Sequence, residues 1–150
     1  MTKLQAIREF TSTVLNDKVI IARDRFSNGN WAMDIANATP RLKLPKDLDY
    51  EYDTDDKAFR RDFVERYPSA RGFSSITLTI LHECGHWATR DVMDIVEYDK
   101  LATVAYTQDM YMANPWEVLA TQWAICWLYC PANRKIAKAF EKKYYGRDKK

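Results

Sequence analysis

Apolar residues return at helical spacing along the first fifteen positions. Leu4, Ile7, Phe10, Val14 and Leu15 share one face and leave the other polar, so residues 3–15 are expected to form an amphipathic helix. The period then shortens. Lys18 to Ala22 (KVIIA) is a β-branched run that predicts a strand, and Trp31 to Ile35 and Arg41 to Leu44 are two further short strand candidates. Asn28-Gly29-Asn30 and Pro40 supply turn signals around them. From Asp47 to Asp56 there are six acids and no base, which reads as a solvated acidic loop. An EF-hand calcium loop would need a glycine that this run lacks.

Helical patterning resumes after the acidic run. Asp53 or Thr54 can cap a helix reaching about Tyr67, with Phe59, Phe63 and Val64 facing inward. Pro68 and Gly72 punctuate the chain, and Ser74 or Ser75 can cap the next helix, Ile76 to about Arg90. Residues 91–112 read as irregular, with a strand candidate at Leu101 to Tyr106. Asn114-Pro115 opens a helix that should run to about Tyr129 and stop before Pro131, because proline suits the first helical position. Asn133 is then expected to cap a last helix ending near Gly146. One helix, a few strands and then mostly helices describe an α+β fold. A chain of 150 residues fits one domain, 1–150.

Composition narrows the setting. The chain is 47% hydrophobic, enough for a core that needs no disulfides, since a domain of this size buries roughly two-thirds of its unfolded surface. Its three cysteines, Cys84, Cys126 and Cys130, form no paired framework and point to a reducing, cytoplasmic compartment. The N-terminus mixes charges into its apolar residues, unlike a signal peptide. The most apolar stretch, Val118 to Cys130, is interrupted by Thr121 and Gln122 and falls short of the roughly 20 residues a bilayer span requires. No membrane partner is expected. The net charge of +2 is too small to mark a nucleic-acid binder. Residues 133–150 hold eight bases and two acids, which reads as a solvated helix face and tail.

The chemistry concentrates in His82-Glu83-Cys84-Gly85-His86, an H-E-x-x-H pattern inside the expected helix, which holds both histidines of the chain. Residues four apart share a helix face, so both imidazoles can address one ion. Glu83 sits one step around, placed to act as base on a water at that ion. Zinc (Zn2+) suits two imidazoles with a carboxylate and an open position. Gly85, costly inside a helix, marks a close backbone approach that the helix of the third ligand could supply.

That third ligand cannot be histidine. Glu117 is the leading candidate, as the sole acid in a helix that otherwise reads as buried, because a buried carboxylate is costly unless paired or metal-bound. Asp91, Asp94, Glu97 and Asp99 are alternatives, and Cys126 and Cys130, also four apart, could offer thiolates.

Thr79 to Thr89 (TILHECGHWAT) resembles the metallopeptidase domains of phage and plasmid polyvalent and anti-restriction proteins, which tend to read L-H-E-L-G-H-W-T. Glu117 to Ala124, with Pro131 beyond, is similar to the glutamate helix of the ImmA/IrrE family, roughly E-x-E-A-N-x-F-A. Cys84 stands where an aliphatic residue is usual, and Thr121 where asparagine is. The resemblance, over about residues 74–131, implies a zincin-like fold of the gluzincin type. It also implies zinc on His82, His86 and Glu117, and hydrolysis of a peptide bond in a cytoplasmic protein in a phage or mobile-element setting. Glu83 would take a proton from water and pass it to the leaving amine. With no histidine left, a tyrosine or an arginine would stabilise the oxyanion, with Tyr106 and Tyr111 as candidates, and a protein or peptide substrate would add as a strand along an exposed sheet edge. Two other readings stay open: a zinc-bound module that binds a protein without cleaving it, and a nucleic-acid-associated protein using the basic C-terminus.

Overall fold

The first helix, α1 (Lys3–Leu15), starts at a capping box. The Thr2 side chain accepts from the Gln5 backbone N–H, and the Gln5 side chain accepts from the Thr2 N–H, so two otherwise unpaired donors are satisfied reciprocally. It ends where Asn16 takes a left-handed conformation, φ 51°, which asparagine tolerates better than most residues. The computed structural model describes residues 1–24, 26, 31–48, 53–92 and 114–146, without the side chains of 53–58 and 92.

Three short strands follow: β1 (Ile20–Arg23), β2 (Ala32–Asp34) and β3 (Arg41–Leu44). They form one mixed sheet with β3 central, parallel to β1 and antiparallel to β2. Leu42 and Leu44 point into the core and their neighbours outward, the two-residue alternation of a half-buried strand. Strand β1 begins two residues later than its β-branched run suggests, because its ladder starts where Ile20 meets Arg41.

Helix α2 (Asp53–Arg66) buries Phe63 completely, with Phe59 and Val64 partly buried. Its first turn takes in Asp53, Asp55 and Asp56. The acidic run is therefore helical in its second half, contrary to a loop over its whole length, and acids in a first turn suit the helix dipole. A 3-10 segment, Pro68–Gly72, leads into α3 (Ser75–Ala88). Ser74 caps α3, and Glu141, far along the chain, accepts from the Ser74 backbone N–H at 2.6 Å and the Thr77 hydroxyl at 2.7 Å. Helix α3 closes at Ala88, short of Arg90, and a 3-10 turn covers Arg90–Val92.

Asn114 caps α4 (Pro115–Leu128), its side chain accepting from the Trp116 N–H at 2.9 Å. Pro131 opens α5 (Pro131–Tyr145) instead of only closing the helix before it, with Cys130 at the cap position. Asn133 therefore does not cap α5; its amide donates to the Trp127 carbonyl at 2.9 Å. Gly146, at φ 62°, ends α5. Several α5 bases serve packing: Lys138 bonds to the Gly72 carbonyl and lies over the Phe73 ring, and Lys143 pairs with Glu9.

Five helices and a small three-stranded mixed sheet, among the described residues, make an α+β fold. Helix α3 is central. It packs against α4, α1, α2 and β2, which explains why Leu78, Ile80, Leu81, Cys84 and Trp87 are all buried. No described helix is long and apolar enough to cross a membrane. The strand candidate at Leu101 to Tyr106 and the turn at Asn28-Gly29-Asn30 lie outside the described residues.

Candidate metal centre

Two helices build the centre. Helix α3 presents His82 and His86 one turn apart, with ring centroids 4.8 Å apart and planes nearly perpendicular. Helix α4 buries a single stripe, Glu117, Ala120, Thr121, Ala124, Ile125 and Leu128, at the three- and four-residue spacing of one helix face. Its two polar members, Glu117 and Thr121, are neighbours on that face.

The helices can approach because Gly85 has no side chain. A Cβ built there would stand 2.3 Å from the Ala120 carbonyl oxygen, inside any allowed contact. The roughly 1 kcal/mol that glycine costs within a helix is thus offset by a backbone approach no other residue permits. The partner is the helix carrying Glu117, as expected from the sequence.

That approach places one carboxylate oxygen between two imidazoles. Glu117 Oε1 lies 2.9 Å from His82 Nε2 and 3.0 Å from His86 Nε2. The ligand-type atoms of all three residues fall within 4.8 Å of one another, and the residues are only 3%, 5% and 3% exposed for His82, His86 and Glu117. The other nitrogen of His82, Nδ1, is 2.8 Å from the Thr121 hydroxyl. The Phe59 ring meets His82 edge-on, with centroids 5.2 Å apart.

Electrostatics follow from this packing. Burial pushes the Glu117 carboxyl up, but the hydrogen bonds and positive charge of His82 and His86 outweigh it and hold the group well below the usual carboxylate range. Burial pushes His86 down, yet its bond to Glu117 and the nearby charges of Glu83 and Glu117 leave it raised. Burial raises Glu83, reinforced by the charge of Glu117 and opposed by both histidines and by the Met33 backbone N–H, which donates to its carboxylate. Burial also raises the Cys84 thiol, which makes it an inert core group.

The donor set fits a metal ion. Ligands at 2.0–2.2 Å from a tetrahedral zinc stand about 3.3 Å from one another. The 2.9 and 3.0 Å separations from Glu117 would need to widen by a few tenths of an ångström, while the three ligand atoms, now spread over 4.8 Å, would need to draw together. The three groups are buried, converge on one point and could hold a metal ion.

Of the alternative ligands, Asp91 is exposed beyond the end of α3, and Cys126 and Cys130 are exposed free thiols outside the group. Their exclusion has a simple cause: Cys126 is not on the buried stripe of α4. Asp94, Glu97 and Asp99, like Tyr106 and Tyr111, lie outside the described residues. Three contacts were not anticipated from the sequence: Thr121 on His82, Met33 on Glu83, and Phe59 against His82. Only Thr121 left a trace, being four residues beyond Glu117 in an otherwise apolar stripe. The chain matches no family profile, no curated protein and no solved structure.

Proposed function

We propose that this chain is a zinc-dependent peptidase of the zincin type, with His82, His86 and Glu117 as metal ligands and Glu83 as general base. The observation that carries this reading is the buried convergence of two imidazole nitrogens and one carboxylate oxygen on a point beside an H-E-x-x-H glutamate. Two imidazoles and a carboxylate are a catalytic zinc set with one position left for water or substrate.

A bound zinc ion supplies a Lewis acid that lowers the pKa of water and polarises a carbonyl. The chain's own residues do the rest. Glu83 is near the triad, is buried, and has a raised proton affinity. A carboxylate tuned upward is a better proton acceptor near neutral pH. It would take a proton from the attacking water and deliver it to the leaving amine. The Met33 N–H holds that carboxylate and marks the side of β2 turned toward α3. An extended peptide added along this edge would pass Glu83, which supports a protein or peptide substrate bound by strand addition. The resemblance of the two motif segments to phage and plasmid metallopeptidases extends the proposal to a cytoplasmic protein target in a mobile-element setting. Tyr106 and Tyr111 remain the candidates for the oxyanion donor.

The test combines metal analysis with digestion of a peptide library. Purified protein should hold about one zinc per chain, and Glu83→Gln should keep that zinc while abolishing cleavage, because glutamine accepts no proton. Cleavage by this variant at the wild-type rate would remove Glu83 from the role. Full zinc retention after both histidines are changed to alanine would reject the centre.

A further inference from the structure

We infer that Thr121 is a positioning residue for His82, its hydroxyl fixing the ring from Nδ1 so that Nε2 faces the point shared with His86 and Glu117. This inference rests on the metal-centre reading above and deepens it.

His82 Nε2 faces Glu117 Oε1 at 2.9 Å, and the group facing its other ring nitrogen, Nδ1, is the Thr121 hydroxyl at 2.8 Å. A hydroxyl both donates and accepts, so it can hold Nδ1 whichever ring nitrogen carries the hydrogen.

Ligation through Nε2 would leave the ring's one hydrogen on Nδ1, and Thr121 Oγ1 would then accept from it. Valine of the same shape could not. Water is a poor substitute, because Thr121 is only 2% exposed.

Position strengthens the case. Glu117 and Thr121 lie one turn apart on the buried stripe of α4, so the same helix delivers a ligand and the partner that orients another ligand. Such outer partners fix tautomer and ring orientation, and their loss typically weakens metal binding about 10–100-fold.

The test uses the full chain and zinc itself, titrated against a chromophoric chelator, with metal-free thermal unfolding as a control. Thr121→Val should fold and bind zinc about 10–100-fold more weakly, and Thr121→Ser, which keeps the hydroxyl, should recover most of the loss. Wild-type affinity in the folded valine variant would overturn the inference while leaving the metal centre standing. Failure of the wild-type chain to bind zinc would sink the centre itself, and this inference with it. Should the valine variant fail to fold, nitrogen NMR of His82 in the zinc-loaded wild-type chain decides: an Nδ1–H held in a hydrogen bond and protected from exchange is expected, and a freely exchanging one would refute the positioning role.

Discussion

Helices α3 and α4 meet through a glycine and an alanine, whereas α1 and α5 meet through aromatic rings. At the second contact Phe10 stacks on Phe140 with centroids 4.4 Å apart, and the Trp127 ring meets Phe10 edge-on. Ile7, Ala137 and Tyr144 are buried around them. This contact is held by apolar area, which is non-directional and tolerates small displacements. The α3–α4 contact has little such freedom. Its value lies in bringing Glu117 within hydrogen-bonding distance of two imidazoles, and that depends on one absent Cβ. One helix pair is held by aromatic area, and the other by a close backbone approach that gathers ionisable groups.

The largest expected effect separates the two roles. Phe140→Ala should cost about 4 kcal/mol of unfolding free energy, the usual toll of truncating a buried phenylalanine, while the folded fraction still binds one zinc. Denaturant unfolding with and without metal checks both halves. Loss of zinc stoichiometry in the folded fraction would show that the aromatic contact also positions the site.

Gly85→Ala sharpens the comparison from the other side. The new Cβ would meet the Ala120 carbonyl at 2.3 Å, and backbone cannot yield as a flexible side chain can. Overpacking of this kind costs about 1–3 kcal/mol. Any relief must come from parting α3 and α4, so zinc affinity should fall more than stability does. A Gly85→Ala protein with native zinc affinity would break the claim that this approach sets the ligand geometry.

The smallest effect is on pH. Among the described residues, the groups with shifted proton affinity, Glu83, His86 and Glu117, all belong to the α3–α4 region, together with the buried Cys84 thiol. Glu83 and His86 are raised, so each contributes stability that is complete below its ordinary value, 4.5 or 6.5, and is lost as pH rises through the folded value. Glu117 is lowered and acts oppositely: its contribution is complete above 4.5 and lost as pH falls. Metal-free protein should therefore melt at a lower temperature at about pH 8 than at about pH 6, and Glu83→Gln should reduce the difference. Zinc should reverse the trend, because protons compete with it for the histidines. A metal-free melting temperature that rises over this interval would contradict the shifts of Glu83 and His86.

Much of this protein is legible without coordinates, and the reasons are local. Helix α1 announces itself through five apolar residues on one face, although its Thr2–Gln5 capping box became evident only in the structure. Strand β3 alternates Leu42 and Leu44 with charged residues. Asn114-Pro115 and Gly146 mark helix ends by what their backbones and side chains can and cannot do. The pairing of His82 and His86 follows from the helical repeat alone, and Glu117 stands out as the one acid in an apolar helix.

Where local signals conflicted, distant contacts chose. The acidic run could have stayed a loop, but Asp53, Asp55 and Asp56 joined α2, whose inner face buries Phe63. Pro131 could end one helix or begin another, and it begins α5, which delivers Phe140 to Phe10. The helical repeat could set Cys126 and Cys130 four apart but could not say that α4 ends at Leu128, with Cys130 at the cap of α5, or which face α4 buries. Packing against α3 decided for Glu117 and Thr121 and left both thiols outside. The partners of His82 and Glu83 were decided in the same way. Thr121 lies 39 residues from His82, and Met33 belongs to a strand on another element. Periodicity along a chain records which side of a helix is apolar. Only the closing of one element on another brings a particular hydroxyl or backbone N–H to a particular nitrogen or oxygen, since a hydrogen bond depends on distances of a few ångströms that no repeat in the sequence encodes.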